Sequence, residues 1–197
     1  FQCLAEALGM ALPGSANIPA FLPGKLAAAR ETGKRIVAMV DEGLTARKML
    51  TAQALDNALV VDQAIGGSTN TTLHLPALAH ELDIDLPLSR FNEVCRKIPT
   101  LVSISPNGPH GMVDLYEAGG VQGVMKMLAG DLHLDTMTVT GRTLGQVLQE
   151  AEIRNAHVIR PKDNPYLPEG GTAVLFGNIA PDGAVVKQSA VAPEMLV

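Results

Sequence analysis

The chain contains no tryptophan, few aromatic residues of any kind, and only two cysteines. Without aromatic stacking residues or a basic stripe, and with a formal net charge of -5, it lacks the footprint of a nucleic-acid binder. No apolar run approaches membrane-spanning length, and Phe1-Gln2-Cys3 has neither the basic lead nor the apolar stretch of a signal peptide. Two cysteines as far apart as Cys3 and Cys95 do not make a secreted disulfide scaffold, so a cytoplasmic enzyme is expected. There is no His-Glu-x-x-His and no Cys-x-x-Cys, so a complete zinc site is not expected. No lysine follows the glycines of Gly66-Gly67, which excludes a Walker loop. The first residue is not methionine, and the chain reads as a piece of a longer protein, cut just before a site residue.

What is present is a globular composition. Apolar residues make up 47% of the 197 positions, and charges of both signs are mixed. A core must come from Ala, Val, Leu, Ile and Met, which suits helices packed on a sheet better than an all-β sandwich. Apolar periodicity predicts helices over residues 2–11, 23–43, 46–65, 68–82, 89–97, 112–118, 120–129 and 143–151. Pro23 and Gly43 suit the ends of the second, and Leu26, Ala29, Ile36, Val37 and Val40 form its stripe. Pro76 should kink the fourth. Ser89 and Thr143 are read as N-caps. Residues 101–104 read as a buried strand and 136–139 as a short one. After Ala151 the pattern turns β-rich at Val158-Ile159, Thr172–Phe176 and Ala184–Lys187, with Pro181-Asp182-Gly183 as a hairpin connection. The expected domains are 1–155 and 156–197.

Two motifs carry chemistry. Cys3 opens the first helix, where unpaired N–H groups and the helix dipole favour a thiolate and hence a metal-bound sulfur; the other reading is a buried, inert thiol. Gly66-Gly67-Ser68-Thr69-Asn70 offers glycines for a sharp turn, and hydroxyl, amide and backbone donors at a helix start; the other reading is an ordinary helix–helix turn. Ser68, Thr69 and Asn70 are the candidate donors near a ligand. His74 follows one turn later and either faces the same mouth or packs. Glu6 lies one turn from Cys3 and either orients a metal shell or caps its helix electrostatically. Asp56 and Asp62 are not read as an acid/base pair, and His110 lies in a turn with no role assigned.

The ordered pieces Cys3-Leu4-Ala5-Glu6-Ala7-Leu8-Gly9, Leu12-Pro13-Gly14, Gly33-Lys34-Arg35-Ile36-Val37, Asp56-Asn57-Ala58, Gly66–Thr71, Leu73-His74-Leu75, Ala118–Val121 and Val174–Asn178 resemble the dihydroxy-acid dehydratase and phosphogluconate dehydratase family over essentially the whole chain. The resemblance is nearer to the dihydroxy-acid branch. It implies a hydro-lyase that converts a 2,3-dihydroxy carboxylic acid to a 2-keto acid in branched-chain amino-acid synthesis, using an iron–sulfur cluster and magnesium. It implies that Cys3 is the last of three cluster cysteines, as the metal- and cofactor-binding residue of this stretch. The remaining ligands, a modified lysine and a serine base are expected outside it, so no catalytic residue is expected within and the isolated piece should be inactive. The implied fold is α/β: the second half of a mainly helical α/β domain, then the opening strands of a β-barrel domain. The implied partners are a small dihydroxy acid and further copies of the protein, as a homodimer or higher homo-oligomer. A sugar-acid dehydratase of the same family, and a non-catalytic module holding an anionic metabolite at Gly66–Asn70, are the alternatives.

Overall fold

The computed structural model describes residues 1–195; Leu196 and Val197, the end of the second expected domain, lie outside the described residues. The helices are α1 (Gln2–Ala7), α2 (Pro23–Asp41), α3 (Ala46–Met49), α4 (Ala52–Ala64), α5 (Thr71–Glu81), α6 (Leu88–Cys95), α7 (Met112–Ala118), α8 (Gly120–Met127) and α9 (Leu144–Leu148). The strands are β1 (Ala173–Leu175) and β2 (Ala184–Val186).

The core is built around α4. Its Leu55, Ala58, Leu59 and Val61 are buried, and α1, α5, α6 and α8 pack against it. Apolar side chains on several faces of α4 bury it from more than one side. Phe91 of α6, Leu115 of α7 and Val121 and Val124 of α8 join the same cluster, as do Val158, Ile159 and Val174 from the last quarter of the chain. The hairpin is therefore packed onto the helices through a shared core.

Helix ends follow local chemistry. One expected helix over 46–65 is two, because Thr51 is extended and its Oγ1 accepts the Ala54 N–H, at 3.2 Å, to start α4 afresh. Thr143 caps α9, as read from the sequence, and Gln146 completes a reciprocal capping box with it. Ser89 does not cap α6: Pro87 is the N-cap, and Ser89 falls inside the first turn. The helix expected over 2–11 ends at Ala7, and α5 runs through Pro76 from Thr71 to Glu81. Gly119, at φ +127°, separates α7 from α8; a Cβ there would meet the Glu152 carbonyl oxygen at 2.2 Å.

Residues 101–104 are not a ladder strand. Leu101 and Val102 are fully buried, but both their N–H groups donate to the Ala64 carbonyl oxygen at the end of α4, at 2.7 and 3.2 Å. A helix end has spare carbonyls, and here they satisfy an extended segment in place of a neighbouring strand. Val158 and Ile159 are buried in a turn closed on the Asn155 carbonyl rather than in a strand. Residues 136–139 make a single bridge, Met137 to Thr143. The hairpin is as expected: β1 and β2 are antiparallel, with Val174 opposite Val185. No helix among the described residues is long and apolar enough to cross a membrane.

Candidate functional site

Cys3 lines a cavity of about 300 Å³ together with Gly66, Ser103, Asn107, Tyr166 and Lys187. These residues come from the start of α1, the end of α4, the loop before α7, and the segments on either side of the hairpin. The two sequence motifs thus meet here through Cys3 and Gly66. Phe1 packs edge-on against His74, ring centroids 5.0 Å apart, which seats α1 beside α5. His74 is a packing partner of Phe1.

Cys3 is a free thiol and half-buried. Burial pushes its thiol pKa up from the ordinary value, and the nearby charge of Glu6 adds to this. The expectation that the helix mouth stabilises a thiolate is therefore corrected. The helix is only six residues long, and desolvation by burial is the largest influence on the thiol.

Ser68, Thr69 and Asn70 follow Gly66-Gly67 in the turn before α5. Thr69 and Asn70 are exposed, and none of the three lines the cavity. Asn70 precedes α5, but its side chain makes no cap. The anion nearest this turn is the protein's own. Asp62 is 2% exposed, and its Oδ1 accepts a 2.7 Å hydrogen bond from Thr71 Oγ1. The Ser68 backbone N–H also helps hold the carboxylate charged. Burial nonetheless pushes the Asp62 pKa up to about 6, against the pull of Thr71. Asp62 Oδ2 is buried without a hydrogen-bond partner in the described structure.

The glycines serve the chain itself. A Cβ on Gly67 would lie 2.0 Å from Thr172 Oγ1, and one on Gly171 would lie 2.1 Å from the Gly66 carbonyl carbon. The close approach anticipated for a ligand is an approach of residues 66–67 to residues 171–172. Ser189 Oγ donates to the Gly66 carbonyl at 2.7 Å and locks the wall that also carries Lys187.

Glu6 points away from this site. Its carboxylate accepts from Gly14 N at 2.7 Å, Ala16 N at 3.0 Å and Gln122 Nε2 at 2.6 Å. It neither orients a metal shell nor caps α1; it clamps the 14–16 loop to α8. His110 supports the cavity indirectly. Tyr166 O–H donates to the His157 carbonyl at 2.6 Å, so His110 Nε2–H donates to Tyr166 Oη at 2.8 Å. The Arg160 guanidinium sits 3.8 Å above the Tyr166 ring centroid. Asp56 is engaged elsewhere, with Arg90 at 3.2 Å.

Lys187 is the residue that sequence reading missed. It is half-buried, forms no ion pair among the described residues, and is the only cationic side chain lining the cavity. Its signal is a lone charge closing the apolar run Ala184-Val185-Val186. The arrangement can receive a small acid: an ammonium for the carboxylate, hydroxyls and an amide for its oxygens, and a thiol at the wall. The described residues hold no group of three or more His, Cys, Asp or Glu able to bind a metal.

Comparison with known proteins places these features in context. A dihydroxy-acid/6-phosphogluconate dehydratase N-terminal profile matches residues 1–147, and the C-terminal profile of the same enzymes matches residues 157–197. A dihydroxy-acid dehydratase of Ignicoccus hospitalis is 54% identical over 98% of this chain and 35% of its own length. Dihydroxy-acid dehydratase 1 of Methanosarcina acetivorans is 52% identical over 99% of the chain and 36% of its own length. A dihydroxy-acid dehydratase of Caldanaerobacter subterraneus is 51% identical over 99% and 35%. The chain spans about a third of the length of the curated relatives it matches.

Proposed function

We propose a function from one premise: the chain belongs to the dihydroxy-acid/6-phosphogluconate dehydratase family. The whole protein is a hydro-lyase that removes water from a 2,3-dihydroxy carboxylic acid to give a 2-keto acid, a cytoplasmic step of branched-chain amino-acid synthesis. This chain supplies one cofactor ligand and one wall of the substrate cavity. It is the later part of an α/β domain to about residue 155, followed by the start of a β-barrel domain; the gap between the two matched profiles supports that division.

The observation that carries the reading is that Cys3 and Lys187 line one cavity. An iron–sulfur cluster, when bound, supplies a Lewis-acidic iron toward a departing hydroxyl. Cys3 is the residue of this chain that holds it, since Cys3 lines the cavity and is committed to no disulfide. Lys187 receives the substrate carboxylate, because a buried anion needs a counter-charge and Lys187 is the lining cation. Ser103 and Asn107 offer hydroxyl and amide partners to the substrate hydroxyls. Tyr166, fixed by His110 and the His157 carbonyl, closes the wall and keeps water out. Magnesium, which the resemblance also implies, is assigned to no residue of this chain.

The test uses the full-length protein prepared without air. Cys3→Ser should lose iron and sulfide. Lys187→Met should keep both and raise KM for the dihydroxy acid at least tenfold, with a smaller effect on kcat. Full retention of iron after Cys3→Ser overturns the cluster assignment, and an unchanged KM in Lys187→Met overturns the carboxylate assignment.

A further inference from the structure

Two buried side-chain amides line a second cavity, of about 250 Å³, which shares no lining residue with that of Cys3. Asn17 is only 6% exposed, yet neither its Nδ2 nor its Oδ1 has a partner among the described residues. Gln122 Nε2 donates to Glu6 at 2.6 Å, which fixes that amide and leaves its buried Oε1 without a donor. Local structure holds both in place. Glu6 accepts from Gly14 N and Ala16 N, in the loop that delivers Asn17, and Gly120 lets the Asn17 amide come so close that a Cβ there would stand 2.8 Å from Oδ1. Buried polar groups without partners cost stability, and native folds retain few of them. The demand arises from the chain's own packing, however the rest of the polypeptide is arranged.

The lining specifies what would satisfy these groups. Gly120 opens α8, whose first-turn N–H groups have no carbonyl behind them within the helix. With Asn17 Nδ2 they offer donors to a carboxylate. Asn17 Oδ1 and Gln122 Oε1 offer acceptors, and Glu150 and Glu152 add negative charge to the wall. Glu150 is bonded to Arg142, at 2.5 Å. Among the lining residues the only cation is Arg154, which gives Nε to the Glu117 carbonyl at 2.8 Å and Nη2 to that of Tyr116 at 3.0 Å. A lone anion would face two glutamates, and a lone cation would leave Asn17 Nδ2 and the helix N–H groups unpaired. A molecule bearing both charges meets both sets. Val147 and Ala151 leave an apolar side for a short hydrocarbon group. The volume falls just under the usual range for ligand pockets, about 300–1,000 Å³, which limits the occupant to a small molecule.

We propose that this cavity is a second binding site, for a small α-amino acid, with its carboxylate at the start of α8 and on Asn17 Nδ2 and its ammonium toward Asn17 Oδ1, Gln122 Oε1 and Glu152. The site does not depend on the chemistry assigned to the Cys3 cavity, and no bond is made or broken in it.

The test follows the melting temperature of the full-length protein in the presence of L-alanine or L-valine. Each should raise it in a concentration-dependent way, because a ligand that binds only the folded state stabilises that state. Acetate and methylammonium, each carrying one of the two charges, should need roughly tenfold higher concentrations or more for the same shift. Asn17→Leu keeps the branched shape and removes both orphan atoms, so it should melt no lower than the parent and should lose the response. Glu152→Gln, at an exposed position that does not threaten folding, should weaken the response, and Lys187→Met should keep it. Stabilisation by the amino acids that disappears in Asn17→Leu supports the proposal. No stabilisation by either amino acid overturns it, as does a response that survives Asn17→Leu, is unchanged in Glu152→Gln, or is matched by acetate. A response lost in Lys187→Met but kept in Asn17→Leu would put the amino acid in the Cys3 cavity and equally overturns it.

Discussion

Asn92 on α6 grips Val174 on β1 at both of its backbone groups: Asn92 Nδ2 donates to the Val174 carbonyl at 2.6 Å, and the Val174 N–H donates to Asn92 Oδ1 at 2.7 Å. A side-chain amide reproduces the donor and acceptor pattern of a neighbouring strand. It thereby pairs a three-residue strand that has a partner on only one edge. Through this grip the hairpin, and with it the Lys187–Ser189 wall, is fixed to the helical core.

Replacing Asn92 by Leu keeps the volume and removes both bonds. The Val174 N–H and carbonyl then lose their partners in a largely buried setting, at a cost of about 2 kcal/mol or more. Faster amide exchange at Val174 and Val186, with smaller changes in α4, is the expected signature. Equal exchange in the two proteins would show the hairpin to be held by its apolar side chains alone.

Gly171→Ala should be among the most damaging single-methyl changes in the chain. The new Cβ would stand 2.1 Å from the Gly66 carbonyl carbon, and backbone cannot rotate away as a flexible side chain does. Overpacking of this kind costs about 1–3 kcal/mol. A denaturant midpoint within error of the parent would show that the 66–171 contact relaxes freely.

Glu6 organises a loop and a helix at once. Glu6→Ala would leave the N–H groups of Gly14 and Ala16 and the Gln122 amide unpaired, at about 1–3 kcal/mol for each buried group. Glu6→Gln keeps the volume but turns one acceptor into a donor facing an N–H donor, so it should destabilise as well. Thermal melts of the two variants test this, and an undisturbed Glu6→Gln protein would argue that the loop turns to water instead.

Asp62 gives stability a pH dependence of defined sign. Its folded pKa, about 6, lies above the usual carboxylate value of 3.8. Below about pH 4 the group is protonated in folded and unfolded chains alike and contributes nothing. As pH rises from about 4 to 6 the unfolded chain releases its proton first, so stability falls. Above about 6 the loss is complete and constant, on the order of 3 kcal/mol. Asp62→Asn should flatten this fall, seen in denaturant unfolding at a series of pH values between 4 and 7. A slope identical to that of the parent would show Asp62 to be well solvated.

Much of the fold was legible wherever local chemistry decides it. Pro23 and Gly43 bracket α2, Thr143 caps α9, and Pro181-Asp182-Gly183 turns the hairpin. The division of α3 from α4 was not legible, because the alternative to a continuous helix is a single side-chain bond at Thr51. Residues 101–104 have the composition of a strand, but their partner is a helix end, and no periodicity encodes a partner. Of the site, Cys3 and Gly66 stood out because each alters the backbone or chemistry of its own segment. Lys187 and Asp62 did not, since their significance comes from residues remote in the chain. For Cys3 the sequence left a thiolate at a helix mouth and a buried thiol as two readings, because a helix mouth is a local feature and desolvation is a tertiary one.

The wall that faces Cys3 is completed by Lys187 and Ser189, near the opposite end of the chain. On a ribosome the thiol therefore emerges long before its enclosure can form. Until the hairpin docks, the sulfur stands open to solvent, oxidants and stray ions. The enclosure of this thiol is thus ordered by translation, since the segment that seals it is made long after the helix that carries it.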